Sequence, residues 1–217
     1  MTLKVDLLDI GVFLLLFQDG KNVLIEAGPA NADQKNLALK LNELSVNRID
    51  YLILTHGHTD HVGGAKWVKE HYGATVIAHP DATNFLVDPY YELNNYWENY
   101  LRFFEPQIHV KFKEDYWKIR GRESCKVDKT VREGDVLNIG SLRLKIIETP
   151  GHIDGSISIQ EENTKILFVG DAIQGLGPCS SIVHALPLYF DVNDYLRTLD
   201  RLTKVNVCLL YTSDAAD

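Results

Sequence analysis

Four side chains able to bind a metal crowd into the six positions His56-Gly57-His58-Thr59-Asp60-His61. Imidazole nitrogen and carboxylate oxygen are good ligands for zinc and other transition ions. Alternate residues of extended backbone share a side, so His56 and His58 face one point while Asp60 and His61 turn toward a neighbouring one. The spacing therefore suits two adjacent cations. Two cations stabilise a carboxylate placed between them and lower the pKa of a shared water enough to make hydroxide near neutrality, a nucleophile for hydrolysis.

The elements around this stretch place it at the end of a strand. Asp50 to Thr55 carries Tyr-Leu-Ile-Leu, apolar on both faces, which predicts a buried strand running into the histidine loop. Gly63-Gly64, a short helix to about Tyr72 and a strand over Ala74 to Ala78 follow, giving a β-loop-α-β unit of the kind that binds ligands at its strand ends. Upstream, Leu3 to Leu8, Val12 to Gln18 and Asn22 to Glu26 read as strands, the last two joined by an Asp19-Gly20 turn. Gly28-Pro29 breaks that pattern, and Leu37, Leu41 and Leu44 at helical spacing behind Asp33 predict a helix over 33–44. Downstream, strands are expected at 136–139, 142–148, 155–160 and 165–169, a helix at 191–203 and a last strand at 205–210. This order predicts an α/β (α+β) chain with two sheets packed together and helices outside.

The arrangement His-x-His-x-Asp-His after a hydrophobic strand, followed by Gly63-Gly64, resembles the metallo-β-lactamase-fold superfamily of metallohydrolases. Thr149-Pro150-Gly151-His152 is similar to the family's next metal motif, and Val169-Gly170-Asp171 to the one after it. The resemblance implies a four-layer αββα sandwich with two mixed sheets face to face. It implies that His56, His58 and His152 hold a first metal, that Asp60 and His61 belong to a second, and that Asp171 bridges them. Asp60 would also orient water or accept its proton. The implied cofactor is Zn(2+), two per chain in a full-length protein, with iron or manganese as alternatives. The Gly-His and Gly-Asp motifs look closest to glyoxalase II-like and lactonase-like members. The expected activity is therefore hydrolysis of an ester, thioester, lactone or amide by a metal-bound hydroxide.

Other readings share the motifs. A persulfide dioxygenase-like oxidoreductase would need one iron on His56, His152 and Asp171; an RNase Z-like phosphodiesterase would use two metals on a phosphate; an inactive truncated fold would turn over nothing. The sequence departs from the family pattern in three places. Glu26-Ala27-Gly28 stands where the family has Asp-x-Gly, and Glu26 is expected to support the metal loop. No histidine follows Leu210 to complete the second metal, His184 being the one downstream substitute. The ending from Cys208 to Asp217 resembles translated adapter sequence, so residues 1–210 are read as one domain and 208–217 as a non-native tail.

Composition bounds the rest. In 217 residues, 22 basic against 30 acidic side chains give a net charge of −8, which disfavours nucleic-acid partners. The longest apolar run, Val12 to Phe17, is far short of the roughly 20 residues a bilayer requires, and no cleavage site follows it; the chain is read as cytoplasmic, without a membrane span. Cys125, Cys179 and Cys208 form no disulfide or zinc pattern, and Cys179 is expected in the core or a loop. Residues 85–117 hold 11 of the 21 aromatics, within an insert at about 85–130. Between Arg102 and Arg132 nine Lys or Arg face five Asp or Glu. The insert is expected either to pack its aromatics inward or to form a lid whose Lys111, Lys113, Arg120 and Arg122 attract an anionic substrate. The expected partner is a small-molecule substrate, and a homodimer is compatible with the family. His71, His79 and His109 are expected to be structural.

Overall fold

Period-two alternation decides which way each strand side chain faces. In β2 (Val12–Leu16), β3 (Asn22–Ile25), β4 (Tyr51–Ile53) and β5 (Thr75–Ala78), Leu14, Leu24, Leu52 and Val76 join one core. Phe13, Leu15, Val23, Ile25, Ile53 and Ile77 join another. A sheet apolar on both faces must be covered on both. The computed structural model describes residues 4–9, 12–16, 20–30, 33–174, 179–180, 183–184 and 189–212.

On one face, α1 (Asp33–Glu43) lays Leu37 and Leu41 against the first core. Between β4 and β5, α2 (Thr59–Val62) is a single turn that carries Asp60 and His61, and α3 (Ala65–Tyr72) adds Ala65 and Val68 to the same core. With β1 (Lys4–Asp9) and β6 (Lys129–Thr130) the sheet has six strands in the order β1-β2-β3-β4-β5-β6. Its first three strands are antiparallel and β3 to β6 parallel, so the sheet is mixed.

The other face meets a second sheet built from β7 (Val136–Ile139), β8 (Leu142–Glu148), β9 (Ile157–Glu161) and β10 (Ile166–Phe168). Its Leu137, Leu144, Ile146, Ile159 and Phe168 fill the space between the sheets. A short antiparallel pair follows, β11 (Cys179–Ser180) with β12 (Val183–His184), and the Cys179 and His184 side chains lie outside what the structure describes. Then α7 (Val192–Leu202) covers the outer face, its Leu202 meeting Leu167 and Val169. The last strand, β13 (Leu209–Tyr211), pairs parallel with β10, and its Tyr211 ring stacks 5.3 Å from Phe168. The αββα layering implied by the resemblance is what forms.

Boundaries differ from the sequence reading where turns intervene. The strand expected at 155–160 runs from Ile157, because Gly155 adopts a left-handed φ of 74°. The strand expected at 205–210 is confined to Leu209–Tyr211, within the stretch read as a tail.

The insert adds α4 (Thr83–Val87), a π turn at Leu93–Trp97, α5 (Glu98–Leu101) and α6 (Pro106–Arg120). Leu93, Leu101 and Tyr116 make a small core of their own, with Trp97, Phe112 and Trp117 packed on it. Its cations find partners within the insert. Arg120 is buried and donates to the carbonyls of Phe85, Leu86 and Glu123. Lys111 pairs with Asp115 and Lys113 with Glu98, while Arg122 lies over the Trp117 ring at 4.3 Å. Tertiary packing thus engages these four on the insert itself. Among the described residues no helix is long and apolar enough to cross a membrane.

Ile53, fully buried between the sheets, is one residue away from the loop that carries the histidines. Ile53→Ala should cost about 2–5 kcal/mol through the cavity it leaves, measured as a drop in the urea midpoint with unchanged slope.

Candidate metal centre

Five of the six predicted ligands come together, with Glu26, at the carboxyl ends of strands from both sheets. Glu26 follows β3, His56 and His58 follow β4, His152 follows β8, and Asp171 follows β10. The two sheets are joined at this end by a hydrogen bond from the Ile157 amide to the Thr55 carbonyl (2.8 Å). Close approach requires glycine twice. A Cβ at Gly57 would fall 2.3 Å from the Phe85 ring, and Gly151, at φ 125°, lies against the Tyr195 backbone.

Donor atoms of His56, His58, His152 and Asp171 all lie within 4.8 Å of one another, every residue buried. His58 Nδ1 is 2.7 Å from His152 Nε2. Asp171 Oδ2 is 3.4 Å from His152 Nε2 and 3.9 Å from His56 Nε2. A tetrahedral zinc with Zn–N bonds of about 2.0–2.1 Å separates its ligand atoms by roughly 3.3 Å, so these spacings bracket the requirement. His56 Nε2 and Asp171 Oδ1 are buried with no hydrogen-bond partner among the described residues. Buried polar atoms left unpaired cost free energy, and a cation among them removes that cost. These residues fit a divalent metal.

His61 opens a second focus. Its Nε2 is 3.4 Å from Asp171 Oδ1, and its ring centroid 4.0 Å from that of His56. Asp60 stands at the edge: its side chain is 61% exposed, its carboxylate is 3.6 Å from His61 Nε2, and it is not among the convergent donors. Glu26, His56 and His61 form a second convergent trio.

One buried carboxylate orients much of this. Glu26 accepts hydrogen bonds from the Thr55 amide (3.2 Å) and the Thr55 hydroxyl. With its proton committed to Glu26, Thr55 Oγ1 accepts from His56 Nδ1 (3.0 Å), which leaves the His56 Nε2 lone pair facing the centre. Glu26 also lies 3.4 Å from His61 Nδ1. Its own backbone sits at φ 65°, unusual for a residue other than glycine. The sequence expectation that Glu26 supports the metal loop matches this contact set.

Charge follows geometry. Burial drives the His56 and His58 imidazoles well below the ordinary histidine range, so both are neutral with free lone pairs. Burial opposes charge on His61 too, but Asp171, Asp60 and Glu26 hold it well above that range. Against its own burial, Asp171 is kept well below the carboxylate range, first by His61 and then by His56. The centre thus holds an anionic carboxylate, neutral nitrogens and one exchangeable imidazolium proton, which a cation would displace.

Two contributors were not singled out in the sequence. Gln174 donates to Asp171 Oδ2 (3.0 Å); its place three residues after Asp171, on the turn that follows β10, is a signal that could have found it. Glu92, buried within the insert, lies 4.0 Å from His58 Nε2 and accepts from Trp97 Nε1 (2.8 Å). No local pattern marks it. His79 is structural as expected, with Nε2 3.0 Å from Glu148 and Nδ1 accepting from the Asp81 amide; His71 and His109 meet the backbone carbonyls of Trp67 and Phe104.

Burial pushes the Glu92 carboxyl up to about 8. A carboxyl whose folded pKa is raised stabilises the fold below its unfolded value, and that stability is lost as pH rises toward the folded value. In chelator-treated protein, the Tm of the wild-type chain relative to that of Glu92→Gln should therefore fall between about pH 5 and about pH 9, as read by circular dichroism.

The chain is similar to known proteins in sequence and in fold. Residues 8–213 match the family model of the metallo-beta-lactamase superfamily. The chain is 30% identical over 160 residues to the hydroxyacylglutathione hydrolase GloC of Haemophilus influenzae, covering 73% of this chain and 65% of that protein. It is 29% identical over 140 residues to a hydroxyacylglutathione hydrolase of Brucella anthropi, covering 64% and 39%. The chain thus spans less than two thirds of the length of these relatives. Among solved structures, a metallo-beta-lactamase family protein from Thermus thermophilus superposes with a TM-score of 0.69 at 26% identity, over 93% of this chain and 67% of that one. A subclass B3 metallo-beta-lactamase of Bradyrhizobium japonicum gives 0.66 at 22%, over 93% and 70%, and shares the fold.

Proposed function

The chain belongs to the metallo-β-lactamase superfamily, and from that premise we propose that it is a metal-dependent hydrolase of carbonyl esters, thioesters, lactones or amides. The observation that carries the proposal is the convergence of buried donor atoms from His56, His58, His152 and Asp171 at the strand ends. The names of the two curated relatives specify a hydroxyacylglutathione, an acyl group carried on a thiol, which makes the thioester the first bond class to test. When bound, one or two zinc ions polarise the carbonyl and lower the pKa of the attacking water.

The chain's own residues do the rest. His56, His58 and His152 offer nitrogens from three points of two loops, and burial keeps those of His56 and His58 unprotonated. Asp171 reaches both foci, with Oδ2 near His56 and His152 and Oδ1 near His61. Asp60, exposed beside His61, accepts the proton from the attacking water and returns it to the leaving oxygen, sulfur or nitrogen as the bond to the carbonyl carbon breaks. One water is consumed, and an acid plus an alcohol, thiol or amine is released.

The mononuclear iron reading uses His56, His152 and Asp171 alone. The contact of His58 Nδ1 with His152 Nε2 favours a three-histidine focus over that trio.

Elemental analysis of the purified chain, scored together with thioester turnover, tests the proposal. One to two zinc per chain with turnover is expected; one iron per chain would transfer the assignment to the oxidoreductase. Asp171→Asn should lower metal content and turnover together, by about tenfold or more in each, whereas Cys125→Ser should change neither metal content nor kcat/KM at assay temperature. Full activity in Asp171→Asn would remove its bridging role.

A further inference from the structure

The surface around the convergent donors is aromatic and acidic. Phe190 lies with its ring 6.2 Å from that of His58. Tyr96 meets Phe190 edge to face at 4.9 Å and 73°, and Tyr100 does so at 6.0 Å and 76°. Phe85 and Tyr91 back this arc, with Phe85 5.5 Å from Tyr96 and 4.9 Å from Tyr91. Phe190 and Tyr96 are half-buried and Tyr100 is exposed, so the arc offers ring surface to a ligand reaching the centre.

Exposed carboxylates stand near the centre and the arc. Asp60 is beside His61. Asp81 and Asp154 are brought together because Gly155 packs on residue 81, where an added Cβ would fall 3.2 Å from the Asp81 side chain. Both face Tyr96, whose phenol is pushed up to about 12 by burial first and then by Asp154, Tyr91, Glu92 and Asp81.

Opposing cations are absent from the sequence of these loops. Residues 22–34, 49–65, 70–101, 146–164 and 166–196 contain no Lys or Arg, and they include every loop that leaves a ligand-bearing strand. The cations of the insert are engaged elsewhere, as described above.

Aromatic faces attract apolar groups and organic cations, while carboxylates attract cations and repel anions. We propose that the group attached beside the scissile bond rests on Phe190, Tyr96 and Tyr100, and that it is apolar and not anionic, with an alkylammonium favoured by Asp81 and Asp154. This rests on the hydrolase reading and names its substrate class. A phosphodiester backbone is the ligand such a rim disfavours most.

The test uses the full chain reconstituted with zinc and three acetyl thioesters that differ in their thiol: benzyl mercaptan, 2-(trimethylammonio)ethanethiol and 3-mercaptopropionate. At low salt, kcat/KM for the benzyl and trimethylammonium thioesters should exceed that for the carboxylate by about tenfold or more, and the cation-to-anion ratio should shrink as salt rises to about 0.5 M. The double change Asp81→Asn with Asp154→Asn should narrow that ratio at least about threefold, and Phe190→Ala should raise KM for the benzyl thioester more than kcat falls. Equal or faster turnover of the carboxylate thioester, or a ratio unmoved by the double change, would overturn the assignment.

If zinc is bound and none of the three is cleaved, the hydrolase reading fails instead. The rim is then tested by fluorescence titration of the same protein with benzyltrimethylammonium and with benzenesulfonate. Binding of the cation at least about tenfold tighter supports the rim, and equal or reversed binding overturns it.

Discussion

The buried carboxylate of Glu26 is the interaction on which the centre depends. It accepts the Thr55 amide and hydroxyl and faces His61, so a single side chain sets the His56 tautomer and the position of a second imidazole. Its ionisation is opposed by burial, which raises its pKa, and is supported by His61 and Thr55. The first sheet supplies this contact by pairing β3 parallel to β4, so that the residues leaving both strands emerge at the same edge. A shift of one residue in β3 would send Glu26 to the opposite face, and one in β4 would do the same to Thr55. The apolar alternation that fills two cores therefore also holds the register of the metal loop.

The second sheet completes the centre from the other side. His152 and Asp171 leave β8 and β10, whose inward faces pack on the first sheet, and the bond from Ile157 to Thr55 locks the two edges together. The buried His56 and His58 are kept neutral, and an anionic aspartate is placed beside them, with His61 carrying the one proton a cation would displace. Such a site is prepared for a cation at the expense of local stability in its absence, since several of its polar atoms, His56 Nε2 and Asp171 Oδ1 among them, have no hydrogen-bond partner among the described residues.

The insert serves the centre at one remove. Phe85 packs on Gly57, between the two histidines of the loop, and Glu92 approaches the outward nitrogen of His58. Arg120 fastens the end of α6 to the carbonyls at the end of α4. Four of its eleven aromatics, Trp97, Phe112, Tyr116 and Trp117, belong to a separate small core, while Tyr96 and Tyr100 reach Phe190 beside the centre.

Much of the site was legible in the chain itself. His56, His58, Asp60 and His61 lie within six positions, and a strand and loop of fixed period dictate how such neighbours are presented. Strands with apolar residues on both faces announced a doubly covered sheet, and Leu37 and Leu41 at helical spacing announced α1. Local periodicity is a short-range property, so a sequence can state it. Folding had to decide which distant residues meet these neighbours. Glu92 reaches His58 across 34 positions of chain, Lys111 and Lys113 pair with acids of the insert while Arg120 is buried in it, and Asp60 stays at the rim while Asp171 enters the centre. Those outcomes depend on how two sheets and an insert pack, and long-range packing leaves no periodic mark in the order of residues.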